Sequence, residues 1–241
     1  MRSARFELCV FAAVLALSAA VHRTSLGGAQ AGQSPPILAK RVASFSVRGV
    51  CLADTLLTLG QQEQVPLGIE YVDRDALEKP ISHDFRNATI GEIVRALLGG
   101  TGGYTWRVRD GVLNIAHQST AAPGNLLDRV LPDFEISKCS VGTASAALYF
   151  ALYRDLHPEV TGYAGEFDPG NPDNVIGPLK LRNTPVRHVL NLLANGSKKR
   201  AWIVRVPPGH LDQLPPDGLW TIIEYENPPR HVAQWLLREI F

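Results

Sequence analysis

The histidine side chains are the first candidates for acid–base or metal chemistry in this chain, and their spacing does not bring them together. Seven histidines are scattered over 241 residues. There is no His-x-x-x-His, Cys-x-x-Cys or Gly-x-Ser-x-Gly pattern. His83 and Asp84 are adjacent, but neighbouring side chains of a strand point to opposite faces. We therefore predict no catalytic residues, no bound metal and no cofactor.

Three other short runs resemble binding motifs. The oxygen-rich run from Asp168 to Asn174 contains two prolines and a glycine, which favour a turn, and its spacing differs from that of a calcium-binding EF-hand loop. The run Lys198-Lys199-Arg200 is short, and we interpret it as a solvated turn between a helix and a strand. The glycines from Gly99 to Gly103 follow a predicted helix, whereas a phosphate-binding loop precedes one.

Two cysteines, Cys51 and Cys139, lie beyond the N-terminal segment. In an oxidising compartment they could form a disulfide, although two cysteines do not make a disulfide scaffold. Each comes just before a predicted helix. We favour the interpretation that both are free and serve as small, buried apolar residues.

The chain contains an internal sequence repeat, and the elements that would position any site belong to it. The segment Phe85–Ile90 (Phe-Arg-Asn-Ala-Thr-Ile) is echoed by Leu181–Val186 (Leu-Arg-Asn-Thr-Pro-Val). The register continues without a gap to Arg109 and Arg205. The matched positions are Ile93, Leu97, Gly100, Trp106 and Val108 in the first copy and Val189, Leu193, Gly196, Trp202 and Val204 in the second. A repeat of this length indicates that one structural unit occurs twice.

Local patterns predict the elements of each copy. Apolar spacing predicts first helices over 52–64 and 141–156. Thr89 followed by Glu92 predicts a capping box at the start of the second helix of the first copy. Asp110-Gly111 predicts a tight β-hairpin. The resulting fold is α+β, with two small tandem βαββαββ domains, each a mixed sheet packed against two helices.

The composition divides the chain into five parts. We predict a signal peptide over 1–31, a first domain over 40–118, a linker over 119–132, a second domain over 133–227 and a C-terminal amphipathic helix over 228–241. The formal net charge is only +1. A global basic field that would favour nucleic acid is therefore lacking, and we predict no nucleic-acid partner.

The N-terminal segment is typical of an export signal. Arg2 and Arg5 precede an apolar run from Leu8 to Val21, which is short for a membrane span, and 29–31 (Ala-Gln-Ala) fits a cleavage site. The alternative is an uncleaved N-terminal anchor. We expect a periplasmic or secreted protein, with no transmembrane segment in the mature chain.

The first copy resembles the secretin and TonB N-terminus short domain. The resemblance covers about 75 residues and depends on hydrophobic patterns. Its motifs are Phe45-Ser46-Val47, Leu52–Leu57, Gly68–Tyr71, Thr89–Leu98, Gly102–Val108 and Asp110–Ile115. The second copy resembles the family less closely because its loops are longer. The resemblance implies a periplasmic domain that contacts protein partners at the outer membrane, and it brings no catalytic residues.

Four apolar side chains are the predicted partner-contact residues: Trp106, Trp202, Trp235 and Leu236. The two tryptophans of the repeat could instead belong to the core or to a sheet face. The C-terminal helix that carries the other two residues could pack on its own domain or on another chain. A small sheet usually has an open edge strand, which makes strand addition a natural docking mode.

These observations favour a non-enzymatic, exported protein-interaction module. We expect it to be an accessory or signalling component of an outer-membrane assembly of the secretin or TonB type, and its oligomeric state stays open. The alternative is a periplasmic protein that binds a small ligand or cell-wall glycan in the crevice between the two copies. A hydrolase with a site assembled from both copies ranks last.

Overall fold

The computed structural model describes residues 35–121, 125–159, 174–196, 198, 200–205 and 220–225. The predicted signal peptide, most of the oxygen-rich run that begins at Asp168, and the predicted C-terminal helix lie outside these residues. Trp235 and Leu236 lie outside them as well.

Helices and strands are interspersed along the described residues. The helices are α1 (Pro36–Ala39), α2 (Leu52–Glu63), α3 (Arg74–Glu78), α4 (Ile90–Leu98), α5 (Val141–Leu156) and α6 (Val186–Ala194), with 3₁₀ turns at Gln118–Ala121 and Leu126–Asp128. The strands are β1 (Arg41–Cys51), β2 (Leu67–Tyr71), β3 (Pro80–Thr89), β4 (Tyr104–Arg109), β5 (Val112–His117), β6 (Val130–Ile136), β7 (Cys139–Ser140), β8 (Val175–Ile176), β9 (Leu179–Pro185), β10 (Arg200–Arg205) and β11 (Trp220–Glu224). The predicted mixture of helices and strands is confirmed.

Local signals begin and end these elements as predicted. The Thr89 hydroxyl accepts a hydrogen bond from the Glu92 backbone N–H, and the Glu92 carboxylate accepts one from the Thr89 N–H, which completes the capping box of α4. Asp110 and Gly111 have φ angles of 53° and 73°. Two consecutive positive φ angles are typical of the type I′ turn that joins the strands of a tight hairpin, here β4 and β5.

The sequence repeat corresponds to matched helix–strand units. Helices α4 and α6 have nine residues each, and strands β4 and β10 have six residues each. Asn87 and Asn183, which the repeat aligns, both have positive φ angles, of 51° and 48°. Asparagine tolerates this left-handed conformation better than most residues. The same local bend therefore precedes both helices.

The prediction of a separate mixed sheet in each half is wrong, because strands of both halves share one sheet. Strands β1 and β3 pair with each other, as do β6 and β9, and β7 and β8. The central sheet of the described residues has the order β11-β10-β2-β5-β4. Strand β10 runs parallel to β2, with Ala201 opposite Leu67 and Arg205 opposite Tyr71. The pairing satisfies backbone groups at an edge of β2 that would otherwise be open.

Each face of the central sheet covers a different hydrophobic core. Ala201 and Ile203 face the first core, which also contains side chains of β1, β2, α2 and α4. Trp202 and Val204 alternate with them and face the second core, which contains side chains of β6, α5 and α6. Because successive side chains of a strand point to opposite faces, the single strand β10 supports both cores.

None of the helices in the described part of the chain is long and apolar enough to cross a lipid bilayer. The longest of them, α5, has 16 residues.

Candidate functional site

Strand β4 lies at one end of the central sheet and has two different faces. Trp106 and Val108 pack against the first core. Thr105, Arg107 and Arg109 alternate with them and are exposed on the opposite face. The period of two therefore places two guanidinium groups and a hydroxyl in one row.

This row lines a crevice with a volume of about 320 Å³. Residues of both sequence copies and of the segment between them contribute to it. The lining residues are Glu70, Thr105, Arg107, Arg109, Asn114, Ala116, His117, Gln118, Thr120, Ala121, Asp128 and Arg187. The crevice lies on the same face of the sheet as the second core, beside β4 and β5. It is large enough for a few side chains or a small ligand.

A buried carboxylate forms the inner wall of the crevice. Glu70 is fully buried in β2, and its side chain accepts hydrogen bonds from Arg187, from the Thr120 hydroxyl and from the His117 backbone N–H. The distance from its Oε1 to Nη1 of Arg187 is 2.5 Å. Burial of an unpaired carboxylate would be costly, and these donors offset that cost.

Arg187 is held by two carboxylates. Besides Glu70 it contacts Asp128, whose Oδ1 lies 3.0 Å from its Nε. Burial by itself disfavours the charged guanidinium, but the carboxylates of Glu70 and Asp128 raise the pKa of Arg187 above its ordinary value. Arg187 therefore stays charged, and its charge is already balanced within the protein.

The hairpin that carries the arginine row is attached to the second half through its turn. Nδ2 of Asn191 donates a hydrogen bond of 3.0 Å to Oδ2 of Asp110, and Nδ2 of Asn195 donates one of 3.0 Å to the Asp110 carbonyl. The Nδ1 atom of His188 lies 2.9 Å from Oδ2 of the same aspartate. Helix α6 thereby fixes the end of β4 nearest to Arg109.

Two further lining residues are a histidine at the linker end of β5 and an asparagine within β5. The His117 ring packs edge-on against Tyr104 at 4.9 Å, and its Nδ1 lies 2.7 Å from the Ser119 hydroxyl. The Ser119 backbone N–H donates to the same nitrogen, so this is a local turn. Oδ1 of Asn114 is buried and has no hydrogen-bond partner among the described residues.

The two predicted contact tryptophans that the structure describes lie in different environments. Trp202 is completely buried, and its Nε1 donates a 2.9 Å hydrogen bond to Oδ1 of Asn191. Trp202 is therefore a core residue, which was one of the two alternatives to partner contact, and its side chain is not accessible to a partner. Trp106 is partly buried against the first core, on the face of β4 opposite the crevice.

Two other features can be compared with the sequence. Cys51 and Cys139 are both free, as in the favoured interpretation, but each is only partly buried. Arg200 corrects the interpretation of the basic run as solvated, because its side chain is completely buried. Its Nη1 donates to the carbonyls of Leu193 and Lys198 at 3.2 and 2.8 Å.

Sequence reasoning missed the crevice residues, although part of the signal was visible. The alternation of Thr105, Arg107 and Arg109 with apolar residues predicts that they share a face. Glu70 and Gly68 alternate with Ile69 and Tyr71 in the sequence, a pattern typical of a half-buried strand, whereas all five residues of β2 are buried. Arg187 gave no such signal, because its partner is far away in sequence.

The described residues contain no group of three or more histidine, cysteine or acidic side chains that could hold a metal ion. Comparisons with protein-family models, with curated proteins and with solved structures found no match.

Proposed function

We propose that the chain is a non-enzymatic, exported protein-interaction module that binds a partner segment by strand addition at the edge of β4 that no other described strand occupies. One observation carries the proposal. Strand β10, which the sequence repeat aligns with β4, pairs on its outer edge with β2 in parallel orientation. The same edge of β4 pairs with no other described strand. In the second half, β10 therefore already pairs with an added strand, β2. We propose an equivalent pairing between β4 and a strand of the partner.

The backbone geometry of β4 supports this docking mode. The Gly103 carbonyl accepts a 2.7 Å hydrogen bond from the Gln118 N–H. In an antiparallel pair, hydrogen-bonded and non-hydrogen-bonded positions alternate, so Thr105, Arg107 and Arg109 direct their backbone groups toward β5. The backbone groups of Trp106 and Val108 are therefore directed to the open edge, where an added strand can bond to them.

The setting of the interaction is proposed from the sequence. The N-terminal export signal and the resemblance of the first copy to the secretin and TonB N-terminus short domain support a periplasmic location and a partner at the outer membrane. The proposed architecture is two tandem βαββαββ units, the second a divergent relative whose β10 and β11 extend the sheet of the first. The protein would then serve as an accessory or signalling component of an outer-membrane assembly.

A substitution that removes one outward N–H tests strand addition. Val108→Pro lacks this donor, whereas Val108→Ala keeps it and shortens the side chain comparably. Peptides are first selected from a random display library against the folded mature chain. We expect Val108→Pro to abolish their binding and Val108→Ala to retain it, with both variants still cooperatively folded. Equal binding by both variants would overturn the proposal.

Cross-linking in the native host tests the cellular setting. A photo-reactive residue in place of Thr105 lies beside the proposed strand, and a second one in place of exposed Arg86 on β3 is the control. We expect an outer-membrane or periplasmic component to be cross-linked from position 105 and not from position 86. Cross-links to the same proteins from both positions would argue against a partner at β4.

The crevice between the two copies favours a second function, the binding of a small ligand or cell-wall glycan. Its volume of about 320 Å³ and its lining from both copies carry this alternative. Thermal unfolding with soluble glycan fragments distinguishes the two. A rise in Tm that Arg107→Glu removes, with no peptide selected from the library, would favour the ligand-binding function.

A further inference from the structure

The two arginines of β4 have charges that the described protein does not balance. Arg107 and Arg109 are exposed, and neither makes an ion pair or side-chain hydrogen bond with a described residue. The carboxylates that line the crevice are engaged elsewhere, Glu70 with Arg187 and Asp128 with the same guanidinium. A segment that enters the crevice therefore meets the two exposed guanidinium groups, whereas Glu70 is buried and the Asp128 carboxylate, which is 53% exposed, is already paired with Arg187.

We infer that the segment added at β4 is acidic, with carboxylate side chains at alternate positions that pair with Arg107 and Arg109. This inference depends on the strand addition proposed above. Side chains two residues apart in a strand lie on one face, about 6.5–7 Å apart. Carboxylates with the same spacing on a neighbouring strand would lie directly beside the two guanidinium groups.

The side-chain types suit a carboxylate partner. A guanidinium group can bind both oxygens of a carboxylate in a planar, two-point contact, which a lysine ammonium cannot reproduce. The Thr105 hydroxyl continues the same row. It donates a 3.4 Å hydrogen bond to the Ala116 carbonyl and can accept one from a third polar side chain. Two arginines are a small footprint for nucleic acid, which is consistent with a net charge of +1 for the chain.

The crevice also provides space for side chains of the proposed segment. The side chains that point from the added strand toward the arginine row would enter the space of about 320 Å³ beside β4 and β5.

The probe for this inference is a fluorescein-labelled peptide in which glutamate alternates with valine. The controls are a peptide of the same composition with its glutamates contiguous, and a lysine–valine peptide. Binding to the folded mature chain is measured by fluorescence anisotropy, at low salt and at high salt. We expect the alternating acidic peptide to bind more tightly than either control, with an affinity that falls as salt rises.

Charge reversal identifies the residues responsible. The double variant Arg107→Glu/Arg109→Glu should weaken binding about tenfold or more, because attraction becomes repulsion at both positions. Arg86→Glu, an exposed reversal on β3 away from the crevice, is the matched control and should leave the affinity unchanged. Equal binding of the alternating and contiguous peptides, or no effect of the double reversal, would overturn the inference.

The Val108→Pro variant separates this inference from the proposed function. If Val108→Pro abolishes peptide binding and the double reversal does not, strand addition holds and the acidic preference is wrong. If the double reversal abolishes binding and Val108→Pro does not, the crevice binds acidic groups without strand addition, and the proposed function is wrong. Loss of binding in both variants supports both.

Discussion

The carboxylate of Glu70 and the guanidinium of Arg187 meet at 2.5 Å across the boundary between the two sequence copies. Glu70 belongs to β2 of the first copy and is fully buried, and Arg187 belongs to α6 of the second and is 7% exposed. The pair forms the inner wall of the crevice. It also connects β2 of the central sheet to α6. We therefore expect loss of either side chain to lower the stability of the folded chain.

Replacement of Arg187 should destabilise the whole described domain. Arg187→Met leaves Glu70 buried without its main partner, and loss of one member of a buried ion pair costs about 3–5 kcal/mol. The measurement is the free energy of unfolding in urea. Arg154→Met, at an exposed position of α5, is the control and should change this energy by less than about 0.5 kcal/mol. The double variant Glu70→Gln/Arg187→Met should recover part of the loss, and additive losses would contradict this explanation.

The contact between Gly68 and Trp202 should make the parallel pairing of β2 and β10 sensitive to one methyl group. A Cβ atom at Gly68 would lie 2.1 Å from the Trp202 ring. Gly68→Ala should therefore cost about 1–3 kcal/mol of unfolding free energy through overpacking. When Trp202 is replaced by leucine, Gly68→Ala should cost less unfolding free energy than it does in the parent chain. Gly100→Ala, where nothing lies within 4 Å, is the control, and an equal loss at both glycines would contradict the proposed clash.

Cys51 should react slowly with alkylating reagents near neutral pH. Burial raises the pKa of its thiol from 9.0 to about 11, so little thiolate is present in the folded state. In the chain with Cys9→Ala and Cys139→Ala, we expect iodoacetamide to modify Cys51 more slowly at pH 8 in the folded state than in the urea-unfolded state.

The same shift predicts a loss of stability at alkaline pH. The folded-state pKa of Cys51 exceeds the unfolded value of 9.0. The contribution of the protonated thiol is thus complete below pH 9 and is lost as the pH rises toward about 11. Cys51→Ala should reduce the decline in unfolding free energy over this range, and an unchanged decline would contradict the assignment.

The capping box of α4 should contribute to stability in a pH-dependent way. Thr89→Ala removes the side-chain cap and should cost about 1 kcal/mol. Hydrogen bonds from the backbone and side chain of Thr89 lower the pKa of Glu92 below its ordinary value of 4.5. Stability from this carboxylate is therefore present above pH 4.5 and lost as the pH falls through the lower, folded-state pKa.

The measurement for this prediction is urea unfolding between neutral pH and pH 3. We expect Thr89→Ala to differ from the parent chain most at neutral pH, with the difference shrinking in acid. Ser140→Ala removes the corresponding cap of α5, which has no acidic residue in its first turn. Its cost should not shrink in acid through this mechanism, so an equal acid response of the two variants would contradict the role of Glu92.

The sequence by itself determined the local elements. Thr89 and Glu92 specify the start of α4, Asp110 and Gly111 specify the β4–β5 turn, and apolar spacing gave the bounds of α5 as observed. These signals operate between residues a few positions apart, where backbone conformation and neighbouring side chains decide the outcome. The repeat also indicated that α4 and β4 would have counterparts of equal length.

Only the tertiary structure decided how the copies combine and which residues line the crevice. The pairing of β10 with β2 depends on backbone hydrogen bonds, which any sequence can form, so the strand patterns did not reveal which edges would meet. Glu70 and Arg187 are brought together by that pairing, although 117 positions separate them. The crevice exists because the second copy covers only part of the shared sheet, and this follows from three-dimensional packing and not from any local sequence pattern.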